Sequence, residues 1–372
     1  MSIQYAGGTI VKTTFTSTTK AALQGSVISN LVTAGWSQAT GPSGGGAQTV
    51  TVTIASPGVV SLASHGLLAN DSVVFATTGA LPTGLTAGTR YFVKTVLTSG
   101  TFTVSTTSGG TAINTTGSQS GVQTMVGTVR MATATTAWGI TARVNLQDNG
   151  GSCITFSIEN SNSSLAGLNT TTRGCFLVPG ATAFNIIANK YQFFVFTSIS
   201  TLSRCFVCGG TPYIPTFLQS VMTECGWVGC NSVTDTDVLL RSGFRTNMFT
   251  IGNPGSNSQA IANGNLIDLG NTSSATGSLA ILTFDALGAG TFPAAVTGFH
   301  WTDASAFMIE PLVAWSNTSS TGEPLMRGQL WDAILIADTF DGDTTTTFDG
   351  HDWWAMTDGN TGGKVTLFIA TT

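Results

Sequence analysis

The densest group of chemistry-bearing side chains lies near the C-terminus. Asp338, Asp341, Asp343, Asp349, Asp352 and Asp358 hold six of the 14 aspartates between positions 338 and 358. Oxygen ligands at that density suit a hard cation such as Ca²⁺, with Asp338, Asp341 and Asp343 as its nearest set. Asp341-Gly-Asp343 lacks the order of an EF-hand loop and its closing glutamate. The expectation is therefore a solvated loop whose carboxylates cap turns, and no cofactor. Beside it, Trp353 and Trp354 with Asp349, His351 and Asp352 form a candidate ligand or interface group. An exposed aromatic pair flanked by acids and an imidazole can stack on a sugar, although adjacent aromatics more often serve a core.

Other routes to catalysis are thinner. Glutamate occurs only at 159, 224, 310 and 323. Glu310 sits in the apolar run Ala306-Phe-Met-Ile-Glu-Pro-Leu-Val-Ala-Trp315, near Trp301 and Asp303. A buried carboxyl there would have a raised pKa and could take part in glycoside cleavage; a hydrogen-bonded structural role explains it equally well. Cys205, Cys208, Cys225 and Cys230 are spaced C-x2-C, x16, C-x4-C, close to a zinc array. Residues three apart on a strand point to opposite faces, so buried thiols are expected instead. Of the three histidines, His65 is read as a turn support and His300 as a packing residue. No Gly-x-Ser-x-Gly elbow, HExxH or P-loop occurs. No catalytic residue is assigned, and the chain is read as non-enzymatic.

Composition narrows the classes further. Only 8% of the 372 residues are charged, against roughly 25% in an ordinary domain. Glycine (45 residues), serine and threonine fill the deficit, as suits short strands and tight turns. A surface so poor in ions stays soluble most readily when neighbouring subunits cover it. The 13 Lys and Arg are scattered over a net charge of −5, so no basic stripe offers itself to nucleic acid. Mean hydropathy is +0.27, yet no window is continuously apolar over the ~20 residues of a spanning helix, and membrane insertion is not expected. The opening Met1-Ser-Ile-Gln-Tyr-Ala-Gly-Gly has no charged and then apolar leader. Synthesis and folding in a cytoplasm are therefore expected, with the cysteines reduced.

The elements that must position these residues are nearly all strands. One amphipathic helix is expected over Thr19–Ala34, with Leu23, Val27, Ile28 and Leu31 on one face. Thr16, Ser17 or Thr18 is its expected cap and Gly35 its C′ residue. Trp36 is expected to pack back onto a sheet. Gly41-Pro-Ser-Gly-Gly-Gly-Ala47 reads as a flexible joint. Beyond it Thr49–Ile54, Asp71–Phe75, Arg90–Leu97 and Thr101–Ser105 alternate as strands. A hairpin comes next: Ile140, Ala142, Val144 and Leu146 alternate outward, Asp148-Asn-Gly-Gly turns, and Ile154, Phe156 and Ile158 return. Further strands are expected at Tyr191–Phe196, Leu330–Ala337 and Val365–Thr371. The class is all-β. A helix and first strands occupy 1–45, a small inserted β-domain 46–125, and a β-sandwich, jelly-roll-like body 126–372, with room for two subdomains.

Two resemblances run along the chain. The segment from His65-Gly-Leu through Asp71-Ser-Val-Val-Phe and Thr78-Gly-Ala-Leu-Pro-Thr-Gly-Leu85 to Gly88-Thr-Arg-Tyr-Phe-Val93 resembles a β-module of tail, fibre and other virion proteins of tailed bacteriophages. The body resembles a family of phage and prophage structural proteins. The stretches that carry it are Ile187-Ala-Asn-Lys-Tyr-Gln-Phe-Phe-Val-Phe196, Gly209-Gly-Thr-Pro-Tyr-Ile-Pro215, Arg327-Gly-Gln-Leu-Trp-Asp-Ala333 and Phe348-Asp-Gly-His-Asp-Trp-Trp354. These likenesses imply a virion component and leave open whether it belongs to tail, baseplate, collar or head. Joined to the scarcity of charge, they give the expectation of a homo-oligomeric structural protein of the tail, baseplate or collar, assembled in the bacterial host's cytoplasm. Its partners would be other copies of itself and other phage structural proteins. A capsid decoration or receptor-binding protein that grips a host surface glycan is the alternative, and a polysaccharide depolymerase a more distant one. The resemblance brings no catalytic residue and no cofactor.

Overall fold

Leu23, Val27, Ile28 and Leu31 make one stripe on a helix, and in a computed structural model of the chain all four are buried. The structure describes residues 3–159, 175–177, 179–197, 206–219, 225–230, 267–268, 279–281, 309–316, 325–337, 344–348, 350–356 and 365–372. Strand β1 (Val11–Ser17) leads into helix α1 (Lys20–Thr33), and β2 (Ser37–Thr40) comes after it. The N-cap is Thr19 rather than any of the three preceding hydroxyls, because β1 runs on through Ser17. Thr19 is extended, and its hydroxyl accepts the Ala22 N–H at 3.2 Å. At the other end Gly35 takes φ +100°, which lets Gly35 N–H bond Val32 O and Trp36 N–H bond Leu31 O. That pair of bonds is a Schellman stop. Trp36 then turns inward, edge-on to Phe193, with its Nε1 donating to Asn189 O at 2.8 Å.

Six strands after β2 close on themselves: β3 (Ala47–Val52), β4 (Val60–Ser61), β5 (Ser72–Thr77), β6 (Arg90–Thr98), β7 (Thr101–Ser105) and β8 (Gln123–Gly127). Their order around the barrel is β3-β4-β7-β6-β5-β8, so no edge strand is left open. Alternate residues such as Val50, Val73, Phe75, Val93, Phe102 and Met125 fill its interior. His65 is buried at its rim, accepting Leu67 N–H on Nδ1 and reaching Thr98 O with Nε2.

The chain leaves the barrel into β9 (Val129–Ala132), which pairs directly with β2. Then come β10 (Arg143–Asp148), β11 (Ile154–Glu159), β12 (Cys175–Leu177), β13 (Gly180–Ala188) and β14 (Gln192–Thr197). After β15 (Phe206–Gly210) and a single helical turn α2 (Thr216–Gln219), β16 (Cys225–Cys230) and β17 (Ile267–Asp268) complete two sheets. One is ordered β1-β13-β14-β15-β16-β17 and the other β12-β11-β10-β9-β2. The hairpin expected around Asp148 is present, with Leu146 opposite Phe156 and Val144 opposite Ile158. Both sheets and α1 share one apolar core, which includes Leu23, Trp36, Leu146, Phe156, Phe184 and Phe193. A third sheet, β18-β19-β20-β23-β22-β21, is built from β18 (Leu279–Ile281), β19 (Ile309–Ser316), β20 (Leu325–Ala337), β21 (Thr344–Phe348), β22 (His351–Met356) and β23 (Val365–Ala370). The fold is all-β with one substantial helix among the described residues.

The glycine-rich joint is held, which corrects the expectation of a flexible tether. Gln38 Nε2 donates to Gly41 O and Pro42 O, while its Oε1 accepts Gly44 N–H. Gly41, at φ +96°, lies so close to Thr128 that a Cβ would fall 2.2 Å from its carbonyl oxygen. Gln24 of α1, fully buried, accepts Gly46 N–H where the chain enters the barrel and donates to Gly127 O where it leaves; the same amide reaches Leu146 O of β10. Beside it the Arg130 guanidinium grips the Asp71 carboxylate through two bonds of 2.5 and 2.9 Å, both side chains nearly inaccessible. Such a pair contributes little net stability against a good apolar replacement, but breaking it strands a buried charge. Arg130→Met should therefore lower stability by about 3–5 kcal/mol. Arg130→Met with Asp71→Asn should cost clearly less, since no unpaired charge remains. Urea unfolding monitored by circular dichroism checks this; equal losses in the two variants would refute it.

Candidate functional site

Four stretches far apart in sequence, 187–196, 209–215, 327–333 and 348–354, converge where the third sheet meets the first. Their centre is Trp331 of β20. Its indole stacks on Tyr191 at 4.6 Å and 27°, and Tyr213 meets it edge-on at 5.3 Å; Trp138 lies parallel at 6.0 Å. Trp331 Nε1 donates to Thr211 O at 2.9 Å. The amide of Gln192 pairs with the backbone of Trp331 as a strand neighbour would: Oε1 accepts Trp331 N–H at 3.0 Å and Nε2 donates to Trp331 O. Asn189 forms the turn between β13 and β14, its Oδ1 accepting Tyr191 and Gln192 N–H. Tyr213 and Gln329 exchange backbone bonds of 2.7 and 2.8 Å.

Asp332 is the charged member. It is 2% exposed and adopts φ +50°, a left-handed conformation that an aspartate tolerates only where its surroundings hold it. Oδ1 accepts Ala6 N–H at 3.0 Å, Oδ2 accepts Asn189 Nδ2–H at 2.6 Å, and its own N–H bonds Gln4 O. Burial pushes its carboxyl above the ordinary value, opposed by the bonds from Ala6 and Asn189 and by nearby His351 and Lys190. With both oxygens engaged and almost no exposed surface, this carboxylate clamps the N-terminal segment to the third sheet. Its signal in the sequence was slight, an acid next to a tryptophan within an apolar strand.

His351, Asp352, Trp353 and Trp354 do not assemble into one platform. Successive strand residues face opposite sides. Trp353 is fully buried and, with His351, lies on the side of Tyr5, whose ring stacks on His351 at 4.4 Å. Trp354 lies on the other side beneath Lys12, whose Nζ is 4.2 Å from the ring centre and donates to Thr345 Oγ1. Partial burial lowers the Lys12 pKa, with the Asp352 carboxylate acting the other way. Asp352 accepts the Thr347 hydroxyl at 2.6 Å, and His351 Nδ1 lies 2.7 Å from Thr372 O. The two rings share no face: one is core and the other lies beneath a lysine.

Asp349 lies outside the described residues, as do Asp338, Asp341 and Asp343 of the calcium reading and Trp301, Asp303, His300 and Cys205. Glu310 stands opposite Leu335 in the β19–β20 ladder. Cys208 and Cys153 are buried thiols. The backbone of Cys230 pairs with Val207, and that of Cys225 with Asp268. Among the described residues no three His, Cys, Asp or Glu gather as a metal site, and no helix is long and apolar enough to cross a membrane. No protein-family model matches the chain, and no curated protein matches it significantly.

The raised pKa of Asp332 has a defined sign. The native state keeps this proton to higher pH than the unfolded chain does, so the linked stability is fully present below about pH 4 and is lost as pH rises through the raised value. Asp332→Asn carries a constant cost, because its Nδ2 must face one of two donors, but no such slope. Urea midpoints at a series of pH values should show wild type losing stability relative to Asp332→Asn as pH rises. A difference independent of pH would contradict the assignment.

Proposed function

We propose that this protein is a non-enzymatic structural component of a tailed-phage particle, working as a homo-oligomer. The observation that carries the reading is the scarcity of charge, 31 ionic side chains in 372 residues, on an all-β frame. Such a surface gains by being covered, and rigid sheets give neighbouring copies a fixed shape to meet. The hydrogen-bonded joint supports it, since a barrel locked to the body can transmit position. So does the convergence at Trp331, where aromatic rings and amides bind two sheets together. The particle, its other structural proteins and further copies of this chain are the partners on this reading.

A second reading, as a decoration or receptor-binding protein, draws on the barrel. Of the six large apolar side chains exposed among the described residues, Ile54, Leu68, Val96, Leu97 and Val122 lie in its strands and loops. Exposed apolar groups of that kind serve contacts. Replacing Ala47–Gly127 by a short turn between the paired strands β2 and β9 separates the readings. Loss of particle assembly supports the structural role, and intact particles that no longer bind cells support adhesion. For the isolated protein, sedimentation over a concentration series should show association; a single-copy species at every concentration would remove the basis of the proposal.

A further inference from the structure

The five-stranded sheet has two unlike faces, both buried. Val144, Leu146, Ile154 and Phe156 line the apolar core on one side. The intervening residues are polar: Asn145, Gln147, Thr155 and Ser157, only 2%, 6%, 0% and 1% exposed. Asn145 stands opposite Ser157 and Gln147 opposite Thr155 across the β10–β11 ladder. Four of their atoms make no hydrogen bond among the described residues, namely Asn145 Oδ1, Gln147 Nε2, Thr155 Oγ1 and Ser157 Oγ. Directly opposed side chains in such a ladder lie about 4.5–5.5 Å apart at Cβ. The four therefore form one contiguous polar patch, and a local misfit of a single rotamer does not account for it. Exchanging the ends of the Gln147 amide does not help either, because its other end already accepts the Ser72 hydroxyl at 3.3 Å.

The chemistry of the patch selects its occupant. Its four members are uncharged amides and hydroxyls. Arg130, beside Asn145 in the ladder, is paired with Asp71, and Arg143, the next residue of β10 on this face, stands opposite Glu159 at the far end of the row. Nothing favours a cation or an anion. Near-zero exposure leaves no route for a sugar or peptide. Left dry, each group would carry its full desolvation penalty with no bond in return, and four adjacent ones would weigh heavily on a marginally stable fold. Water, which can meet two to four polar partners at once, removes that cost.

We infer that this face is a built-in site for ordered water, with at least one molecule on each cross-strand pair. One water donates to Asn145 Oδ1 and exchanges a bond with Ser157 Oγ; another accepts from Gln147 Nε2 and exchanges a bond with Thr155 Oγ1. The second reaches the barrel joint through Gln147, Ser72 and Thr128, whose hydroxyls are already linked. The hydrated row thus continues the polar seam that holds the barrel.

Thr155→Val tests the inference by the sign of its effect, since it deletes the hydroxyl at nearly constant shape. At a hydrated site the water loses a partner, and Tm should fall by roughly 2–6 °C for a chain of this size. At a dry site an unpaired buried hydroxyl is replaced by a methyl, so Tm rises or stays unchanged, and the inference fails. A crystal structure of the wild-type chain, at a resolution that shows ordered water, reads the site independently of the variant. Density within hydrogen-bond distance of both Asn145 and Gln147 is the expected result. Direct Asn145–Ser157 and Gln147–Thr155 bonds without water would overturn it, whatever the variant's Tm.

Discussion

A buried amide must find partners for both its ends, and in this protein that requirement ties separate sheets together. Gln192 spends its amide on the backbone of Trp331, joining the first sheet to the third. Gln24 does the same for the helix, the hairpin strand β10 and both legs of the barrel. In a chain with few charges, such neutral contacts take the place that ion pairs often fill. They are short-ranged and directional, so each holds two elements in one register rather than merely close together.

The barrel illustrates the consequence. Its closure removes open edges, the unpaired strand groups through which chains otherwise pair with one another. Its attachment through Gln24, Gln38 and the Asp71–Arg130 pair makes it a fixed projection of the body. The glycines of the joint serve close approach and left-handed backbone, as Gly41 against Thr128 illustrates. Glycine content in a linker therefore reads in two opposite ways, slack or tightly packed, and only the neighbours decide between them. Burying a neutral polar seam under the barrel also gives the joint specificity, because a shifted barrel would leave amides and hydroxyls without partners.

Much of the fold was legible from local pattern. The stripe Leu23–Leu31 and Gly35 located α1 and its stop. The alternation on either side of Asp148-Asn-Gly-Gly located the hairpin, because a period of two with a glycine turn has few other solutions. The cap was misplaced by one residue at least, since four hydroxyls in a row, Thr16 to Thr19, compete and the end of β1 decides among them. The Trp353-Trp354 pair left two outcomes open for a different reason. Composition suggested a platform, whereas strand alternation sends the two rings to opposite faces, one into the core and one under Lys12.

By itself the sequence determined the all-β class, the helix α1, the hairpin and a surface with little charge, because these depend on residue type and on neighbours a few positions away. Only the tertiary structure decided that Asn189, Gln192, Trp331 and Asp332 meet, that the glycine joint is locked, and that the polar face of β10 and β11 is buried. Each of those depends on which groups far apart in the chain come within hydrogen-bond distance. A hydrogen bond acts over about 3 Å, and nothing in the order of residues along the chain records which distant group will fill that gap.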